Sequence, residues 1–417
     1  MEASEKTEVS KTAKRNYVFL CLTVFMRFLG DSFFYGFLYR YIATRELGTV
    51  EMSLLTAMIP FMAVVGNLLI SKISTKFRSR RRTIIVYSIL EPLCIMIFGF
   101  RTEFAYILIL DIICNLCSNP FYNTLDTFII QVSNDAKKSY SSGRVFGTVS
   151  YIFGILIGGY LISYIDYPYT FLIGGALMMT TLIFFLQIRF PAEEISLIEK
   201  EEGGEKTDEK SQWKELANKD YILFAVAAAL ILGSIWGGDN FYQQMTKSYS
   251  SQEYAYSYDA AIVAEAVGHL ICSRFKSMKA LRRVLYLSAV FLLIRYGIFA
   301  IPNLNKYVYL SAESLRGFTF SFCVGANLNL LGHILSMKSR NKGYFLLVAL
   351  DELIAAVINL LGPFVMQLTG NNYIFPFSVL AGNAAVAMIL LSFVHFNPEK
   401  VGEERISAKN GEEREAA

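Results

Sequence analysis

The chain has 417 residues, of which 54% are hydrophobic and only 18% are charged. A soluble globular domain carries about a quarter charged residues, and here the windows Pro168–Ile188, Tyr221–Gly238 and Tyr373–Phe396 contain none. A soluble fold would have to bury all such segments, so the composition excludes it and predicts an all-α polytopic membrane protein. The formal net charge of +4 does not by itself indicate a partner.

Twelve apolar segments separated by charged loops predict twelve transmembrane helices, because each segment is long enough to cross the hydrocarbon core of a bilayer. The first fifteen residues are polar, and the apolar segment after them lacks a small-residue cleavage site. This pattern favours a retained first span over a signal peptide. The predicted spans cover 16–41, 50–73, 83–100, 104–132, 145–164, 168–190, 220–245, 256–273, 282–301, 304–335, 343–369 and 372–396.

Lys and Arg cluster in the loops on one side of the predicted helices, whereas the other side has few. The positive-inside rule places this basic side and both termini in the cytoplasm, with the protein in the cytoplasmic (inner) membrane. A charged insert divides the spans into two sets of six, and the basic loops SKISTKFRSRRR and SRFKSMKALRR recur at matching places, which favours two similar halves. The predicted organisation is a cytoplasmic N-terminus (1–15), an N-terminal six-helix bundle (16–190), a cytoplasmic linker (191–219), a C-terminal six-helix bundle (220–396) and a cytoplasmic tail (397–417).

Polar side chains inside the first four spans are costly in a membrane, so they are functional candidates. Arg27 and Asp31 lie one helical turn apart and can pair on one face of the first span, and the third span carries Glu91. The fourth span has a polar stripe at helical spacing, which predicts a face toward a wet cavity; the alternative is hydrogen bonding between packed helices. The stripe consists of Asp111, Asn115, Asn119, Asn123 and Asp126.

The fifth span places Arg144 and Tyr151 two turns apart, on a shared helical face. Gly154 and Gly158 follow as a pair of small residues at the spacing that lets another helix approach closely. This pair is therefore interpreted as structural.

The second half carries further ionisable residues inside its predicted spans, and carboxylates and arginines on different spans are expected to neutralise one another. Together the carboxylates, guanidinium groups, amides and aromatic rings suit a neutral polyhydroxylated solute, because they supply acceptors, donors and a stacking surface. An anionic substrate or a lipophilic drug fits this set less well. The residues of the second half are Asp239, Glu265, Arg295, Glu313, Arg316 and Asp351.

The stretch NTLDTFIIQVSNDAKKSYSSGRVFGTVSY is similar to the signature of the lactose permease group, the oligosaccharide:proton symporters of the major facilitator superfamily. The segments GGDNFYQQM, AEAVGHL and LLIRYG resemble further parts of the same family. The resemblance implies a major facilitator fold of two pseudo-symmetric six-helix halves. It also implies that Asp126 and Arg144 hold a sugar on which Tyr151 stacks, that Glu265 bridges sugar and proton sites, and that Arg295 takes part in coupling.

Departures from the family pattern concern the coupling residues. Where the family has a titrating His and Glu in the tenth span, this chain has Arg316 and Thr319, and Asp351 stands where the family has a lysine. A relocated ion pair between Asp351 and Arg316 is therefore expected. This would leave Glu265 or Asp126 as the proton-responsive group.

The sequence predicts a secondary active transporter that moves a sugar or oligosaccharide by alternating access, in symport with H⁺ through a non-standard coupling site. The expected partners are the small-molecule substrate, H⁺ and the lipid bilayer, and no nucleic acid is expected. The protein is expected to be monomeric. No G-x-x-x-x-G-K-[ST] loop, metal-ligand cluster or nucleophile constellation occurs, so neither an enzyme nor a cofactor is expected. The alternatives are a carrier of nucleosides or other polar solutes, a drug transporter and a non-transporting sugar sensor. The predicted site residues are Asp126, Arg144, Tyr151, Asn119, Asn123 and Glu265 for substrate, and Arg295, Arg316, Glu313, Asp351 and Asp239 for coupling.

Overall fold

The computed structural model describes residues 2–45, 47–73, 77–189, 209–275, 277–370 and 372–396. These residues form α-helices and two 3-10 helices, Thr246–Ser248 and Leu331–His333, and no β-strand occurs among them. The α-helices are α1 (Glu2–Phe34), α2 (Leu38–Ala43), α3 (Thr49–Ile73), α4 (Phe77–Phe98), α5 (Phe104–Asp135), α6 (Tyr140–Phe185), α7 (Glu209–Leu216), α8 (Lys219–Met245), α9 (Ser251–Cys272), α10 (Met278–Phe299), α11 (Lys306–Ala312), α12 (Ser314–Leu330), α13 (Met337–Leu368) and α14 (Ile374–Ser392).

The all-helical architecture is confirmed, and helical segments coincide with each of the twelve predicted spans. The count of separate helices is not twelve, because the first and tenth spans are each divided and the fifth and sixth are merged in α6. The first part of the predicted linker and the predicted tail lie outside the described residues.

Seven helices of the described part of the chain are long and apolar enough to cross a membrane. The others that match predicted spans fall short for local reasons: α4, α9 and α10 contain several ionisable residues, and α12 has only 17 residues. The seven segments are Lys11–Ala43, Thr49–Leu69, Phe104–Asp135, Ser142–Phe185, Lys219–Ser248, Lys342–Leu368 and Ile374–Ser392. Apolar side chains on their outer faces are exposed, as a lipid-covered surface requires.

The fifth and sixth predicted spans meet at a kink in α6. Asp166 has a φ of 65° and a ψ of 174°, a strained conformation that residues other than Gly rarely adopt, and its Oδ1 accepts a hydrogen bond of 2.7 Å from Tyr167 N. Pro168 follows, with a fixed φ and no N–H, which suits the first turn of a new helical segment. The interruption therefore lies where the sequence separates the two spans.

The chain divides into two compact units. The first unit comprises Met1–Glu205 together with Tyr242–Asp259, and the second comprises Lys206–Phe241 together with Ala260–Ala417. Within the first unit, Arg40 donates hydrogen bonds to the carbonyl oxygens of Thr246 at 2.7 Å and Tyr249 at 2.9 Å. These bonds explain why the segment Tyr242–Asp259, which contains the end of α8 and the start of α9, belongs to the first unit.

In the first unit, α1 packs along α6 through small residues, as the glycine pair predicts. A Cβ added at Gly154 would lie 3.0 Å from the carbonyl oxygen of Leu29, and one at Gly158 would lie 2.9 Å from the Phe37 ring. Larger side chains at either position would push the helices apart. The buried apolar core beside this contact consists of Leu20, Val24, Ile84, Phe121, Leu125, Phe128, Ile129, Val132, Phe185 and Ile188.

In the second unit, α7 is attached to the start of α13. Glu215 accepts hydrogen bonds from the backbone N of Ser336 at 3.0 Å and from its hydroxyl at 2.7 Å. The Lys342 ammonium lies 4.0 Å from the centroid of the Trp213 ring. The carboxylate accepts from one backbone N–H, that of the N-cap residue Ser336, at a helix start where negative charge is also favoured by the helix dipole.

Candidate functional site

The acidic residue and the arginine of the predicted substrate site lie together in the first unit. Asp126 belongs to the last third of α5, and Arg144 lies one turn into α6. Arg144 Nε is 4.0 Å from Asp126 Oδ1, and each side chain is 34% exposed. Arg144 Nη1 is buried without a hydrogen-bond partner. The pair is therefore a loose and accessible ion pair with an unused donor.

One aromatic side chain contacts each member of this pair. The Tyr140 hydroxyl donates a hydrogen bond of 3.1 Å to Asp126 Oδ1, and the Arg144 guanidinium lies 4.3 Å from the centroid of the Phe28 ring. On the same helix as Arg144, the Tyr151 ring stacks with Tyr258 at 6.3 Å between centroids. The site combines an acceptor, a forked donor and flat apolar surfaces, which is the set that a polar ring-shaped solute requires.

Several side chains of the polar stripe on α5 are already hydrogen-bonded to other side chains of the first unit. Asn115 Nδ2 donates to Asp111 Oδ1 at 2.9 Å, and both residues are fully buried. Asn123 Nδ2 donates to Asn67 Oδ1 on α3 at 2.7 Å. For Asp111 and Asn115 the prediction of a wet cavity is wrong, because packed helices exclude water from that end of the stripe. Asn119 is half-buried, between the buried end and Asp126.

A buried ionic cluster, here called the Arg27 cluster, consists of Arg27, Asp31, Tyr35 and Glu91. Arg27 Nη2 donates to both Glu91 carboxylate oxygens at 2.8 and 2.7 Å, and the Tyr35 hydroxyl donates to Glu91 Oε1 at 2.9 Å. Asp31 Oδ1 is 3.4 Å from the same Arg27 Nη2, but neither Asp31 oxygen accepts a hydrogen bond. Glu91 is thus the firmly held carboxylate.

The Arg27 guanidinium has unused capacity in this cluster. Its Nε and Nη1 have no hydrogen-bond partner, although the side chain is fully buried. The rings of Phe121 and Tyr122 on α5 lie 4.1 and 5.2 Å from the guanidinium carbon. Aromatic faces attract a cation but do not replace hydrogen bonds.

A second buried cluster, here called the Arg295 cluster, consists of Asp239, Arg295, Glu313 and Arg316 in the second unit. Arg295 Nη2 lies 2.8 Å from Glu313 Oε2 and 3.2 Å from Asp239 Oδ1. Arg316 Nε donates to both Asp239 oxygens at 3.0 and 2.8 Å, and its Nη2 lies 2.7 Å from Asp239 Oδ2. Two arginines and two carboxylates therefore form one neutral network, as expected for ionisable groups on different spans.

Asp351 does not neutralise Arg316, so that predicted ion pair is wrong. Arg316 is held by Asp239 on α8 and lies 3.9 Å from Glu313 on the same helical turn. Asp351 is 3% exposed, its Oδ1 has no hydrogen-bond partner, and no ion pair to it occurs among the described residues. The physical reason is that α8 already supplies a carboxylate within reach of both arginines.

Glu265 belongs to the second unit, where its Oε1 lies 3.9 Å from His269 Nε2 one turn along α9. Its side chain is 27% exposed. Gly317 on α12 packs against the backbone of Glu265, with 2.6 Å between an added Cβ and the Glu265 nitrogen. The predicted roles of Glu265 in binding substrate or a proton remain predictions.

Sequence patterns give Glu91 no partner and pair Arg27 only with Asp31. A signal was present, because Glu91 is the one Asp, Glu, Lys or Arg of the predicted span 83–100 and a buried carboxylate requires a cation or a proton. Within the described ranges, no three His, Cys, Asp or Glu side chains are grouped to hold a metal ion.

Comparison with known families and structures gives consistent matches to transporters. The model of the MFS_1 like family matches residues 17–377. The nucleoside transporter NupG matches with a TM-score of 0.74 at 15% identity, over 90% of this chain and 98% of that chain, and a mutant of NupG with 0.77 at 14% identity, over 90% and 99%. The xylose transporter XylE from E. coli matches in its inward open conformation with a TM-score of 0.66 at 11% identity, over 93% and 96%. No curated protein sequence matches the chain.

Proposed function

Since the chain belongs to the MFS_1 like family, we propose that it is a secondary transporter that moves a neutral polar solute, a sugar or oligosaccharide, in symport with H⁺. The observation that carries this proposal is the Asp126–Arg144 pair. It is one-third exposed and loosely held at 4.0 Å, whereas the Arg27 and Arg295 clusters are buried. Accessible groups of opposite charge that are not bonded to each other are available to a ligand.

The charge and shape of this pair favour a sugar over an anion. One carboxylate and one guanidinium sum to zero, so an anionic ligand would leave a surplus negative charge in the site. A carboxylate accepts from sugar hydroxyls, and a planar guanidinium donates two parallel bonds to neighbouring oxygens. The Tyr151 ring supplies a flat face for the apolar side of a pyranose.

A nucleoside is the second candidate, and the paired rings of Tyr151 and Tyr258 favour it. Their planes differ by 30° at a centroid separation of 6.3 Å. A flat base stacks on such rings, while the ribose hydroxyls bond to the same charged pair. The resemblance to NupG concerns the fold, so the choice between ribose and pyranose chemistry rests on the transport assay below.

Transport by purified full-length protein in proteoliposomes tests the proposal. The probes are radiolabelled xylose, lactose, maltose and uridine, each with and without an imposed inward proton gradient. Wild-type protein is expected to accumulate at least one sugar when the gradient is imposed. Accumulation of uridine alone would select the second candidate, and transport of none of the four would overturn the proposal.

Arg144→Lys is the matched test of the site, because Lys keeps the charge but loses the planar fork. We expect uptake of the transported solute to fall at least tenfold. Arg101→Lys makes the same change at an exposed arginine outside the site and should leave uptake unchanged. If Arg144→Lys keeps the wild-type affinity within about threefold, less than 1 kcal/mol, the pair does not bind substrate.

Membrane orientation is also part of the proposal, with both termini and the linker in the cytoplasm of a cytoplasmic-membrane protein. All six cysteines of the chain are buried, so a cysteine introduced in place of Gly204 can be labelled above a low background. It should resist an impermeant thiol reagent in intact cells and react in inverted vesicles. Labelling from outside would contradict the assigned orientation.

A further inference from the structure

We propose that Asp31 binds the transported proton and that Arg144 connects its charge to the substrate pair. This inference rests on the proposed symport and names a proton site different from Glu265 and Asp126. It begins from the unequal treatment of two carboxylates by one arginine. Arg27 donates two hydrogen bonds to Glu91 and none to Asp31, which lies 3.4 Å away.

The charges of the Arg27 cluster do not balance when both carboxylates are ionised. One guanidinium faces two carboxylates, and the side chains of Arg27, Asp31 and Glu91 are 0%, 2% and 0% exposed. An uncompensated charge in a buried site is strongly unfavourable. A single proton bound to a carboxylate oxygen makes the cluster neutral.

Hydrogen bonding selects Asp31 as the carboxylate that takes this proton. Glu91 accepts from Arg27 twice and from Tyr35, and donors of this kind stabilise the ionised form. Both Asp31 oxygens are buried without any hydrogen bond. A proton arriving at Asp31 forms one O–H bond and breaks no hydrogen bond; it weakens only the ion pair with Arg27 at 3.4 Å. Its release leaves an ionised carboxylate 3.4 Å from Nη2 of Arg27, a guanidinium whose Nε and Nη1 have no hydrogen-bond partner.

The groups that act electrostatically on Asp31 come from three helices. They are Arg27 and Tyr35 on α1, Glu91 on α4, and Arg144 and Tyr151 on α6. From α5, uncharged rings contact the Arg27 side.

The Arg144 guanidinium lies against α1, 4.3 Å from the centroid of the Phe28 ring. It interacts electrostatically with both Asp31 and Asp126, and among the described residues it donates a hydrogen bond to neither. Ionised Asp31 attracts Arg144 away from a ligand, whereas protonated Asp31 leaves Arg144 to Asp126 and the solute. Proton binding before solute binding follows from this competition.

Infrared difference spectroscopy on full-length protein in lipid tests the proton site without any substrate. Wild-type protein should show a protonated carboxylic-acid carbonyl band that disappears as the pH is raised. Asp31→Asn should remove that pH-dependent band, and Asp31→Glu should shift its frequency. Asp111→Asn, which changes a fully buried carboxylate bonded to Asn115, should leave the band in place. Persistence of an unchanged band in both Asp31 variants would overturn the proposal.

Proteoliposome transport gives the second readout, with whichever of the four probes the wild type accumulates. Asp31→Asn fixes the neutral form, so it should retain counterflow exchange and lose accumulation above equilibrium. Accumulation at the wild-type level by Asp31→Asn would overturn the proton assignment. If the wild type transports none of the probes, the proposed function fails, and the infrared result still decides whether Asp31 binds a proton. An Asp31→Asn protein that does not fold leaves the decision to the band shift in Asp31→Glu.

Discussion

The Arg27 cluster and the Arg295 cluster are both buried, but they differ in whether their charges cancel. The Arg295 cluster contains two arginines and two carboxylates: Asp239 bridges both cations at 2.7 and 3.2 Å, and Glu313 lies 2.8 Å from Arg295. The Arg27 cluster contains one arginine and two carboxylates, and of the two carboxylates only Glu91 accepts hydrogen bonds. A balanced network resists any change in charge, whereas an unbalanced one has a position for a proton. Burial of ionic groups alone therefore does not identify a coupling site.

The largest expected effect follows from removing the central cation of the balanced cluster. Arg295→Gln leaves Glu313 without its main partner, and breaking a buried ion pair costs about 3–5 kcal/mol. We expect a strongly lowered Tm and aggregation on size-exclusion chromatography. Arg283→Gln on the same helix, at an exposed position, is the control and should behave as wild type. A normal Tm for Arg295→Gln would mean that the cluster contributes little to stability.

An Asp→Asn substitution should affect stability differently in the two clusters. Asp239→Asn leaves two arginines with one carboxylate, so we expect destabilisation by about 3 kcal/mol. Asp31→Asn removes the surplus negative charge, so Tm should be unchanged or higher. Thermal unfolding of the two variants in the same detergent checks this. Equal losses of Tm in both would remove the distinction between the clusters.

Double-mutant cycles sharpen the assignment of partners within the balanced cluster. Asp239 and Arg316 are in direct contact, so Asp239→Asn with Arg316→Gln should show a coupling free energy above about 1 kcal/mol. Asp351→Asn with Arg316→Gln should be additive within about 0.5 kcal/mol, because these residues form no ion pair. A large coupling in the second cycle would restore the relocated pair that the sequence suggested.

The smallest expected effect concerns the loose pair beside the Arg27 cluster. Tyr140→Phe removes one neutral donor to Asp126, which should weaken affinity for the transported solute about fivefold, or 1 kcal/mol. Tyr151→Phe keeps the ring and should change affinity less than about twofold. Solute affinity from counterflow measures both. A larger loss for Tyr151→Phe would indicate that its hydroxyl, not its ring, contacts the solute.

Sequence patterns predict the features of this protein that depend on one helix at a time. The apolar segments give the helices, and helical spacing brings Gly154 and Gly158 to one face against α1. The Asp126–Arg144 proximity came from resemblance, and the structure places the two side chains at 4.0 Å. Their role with substrate remains a prediction.

Partner choice between helices is where sequence patterns were insufficient. Spacing within a helix cannot show which neighbour faces Arg316, so the sequence could not distinguish Asp351 from Asp239 as its partner. In the structure, α8 brings Asp239 to Arg316. Helical spacing paired Arg27 with its neighbour Asp31, whereas Arg27 donates its hydrogen bonds to Glu91 on α4, 64 positions away. The Arg27–Asp31 ion pair is present but lacks a hydrogen bond, whereas the Asp351–Arg316 pair was a family-based expectation that the tertiary contact with Asp239 replaces.

The attachment of α7 has a consequence for imaging the molecule. Glu215 is bonded to Ser336 and Trp213 contacts Lys342, so the end of α7 is fixed to the second unit by two different kinds of interaction. A folded domain fused directly before Glu209 would extend a helix already anchored at its far end. Such a fusion gives a small membrane protein a rigid external mark by which particle images are aligned in electron cryomicroscopy.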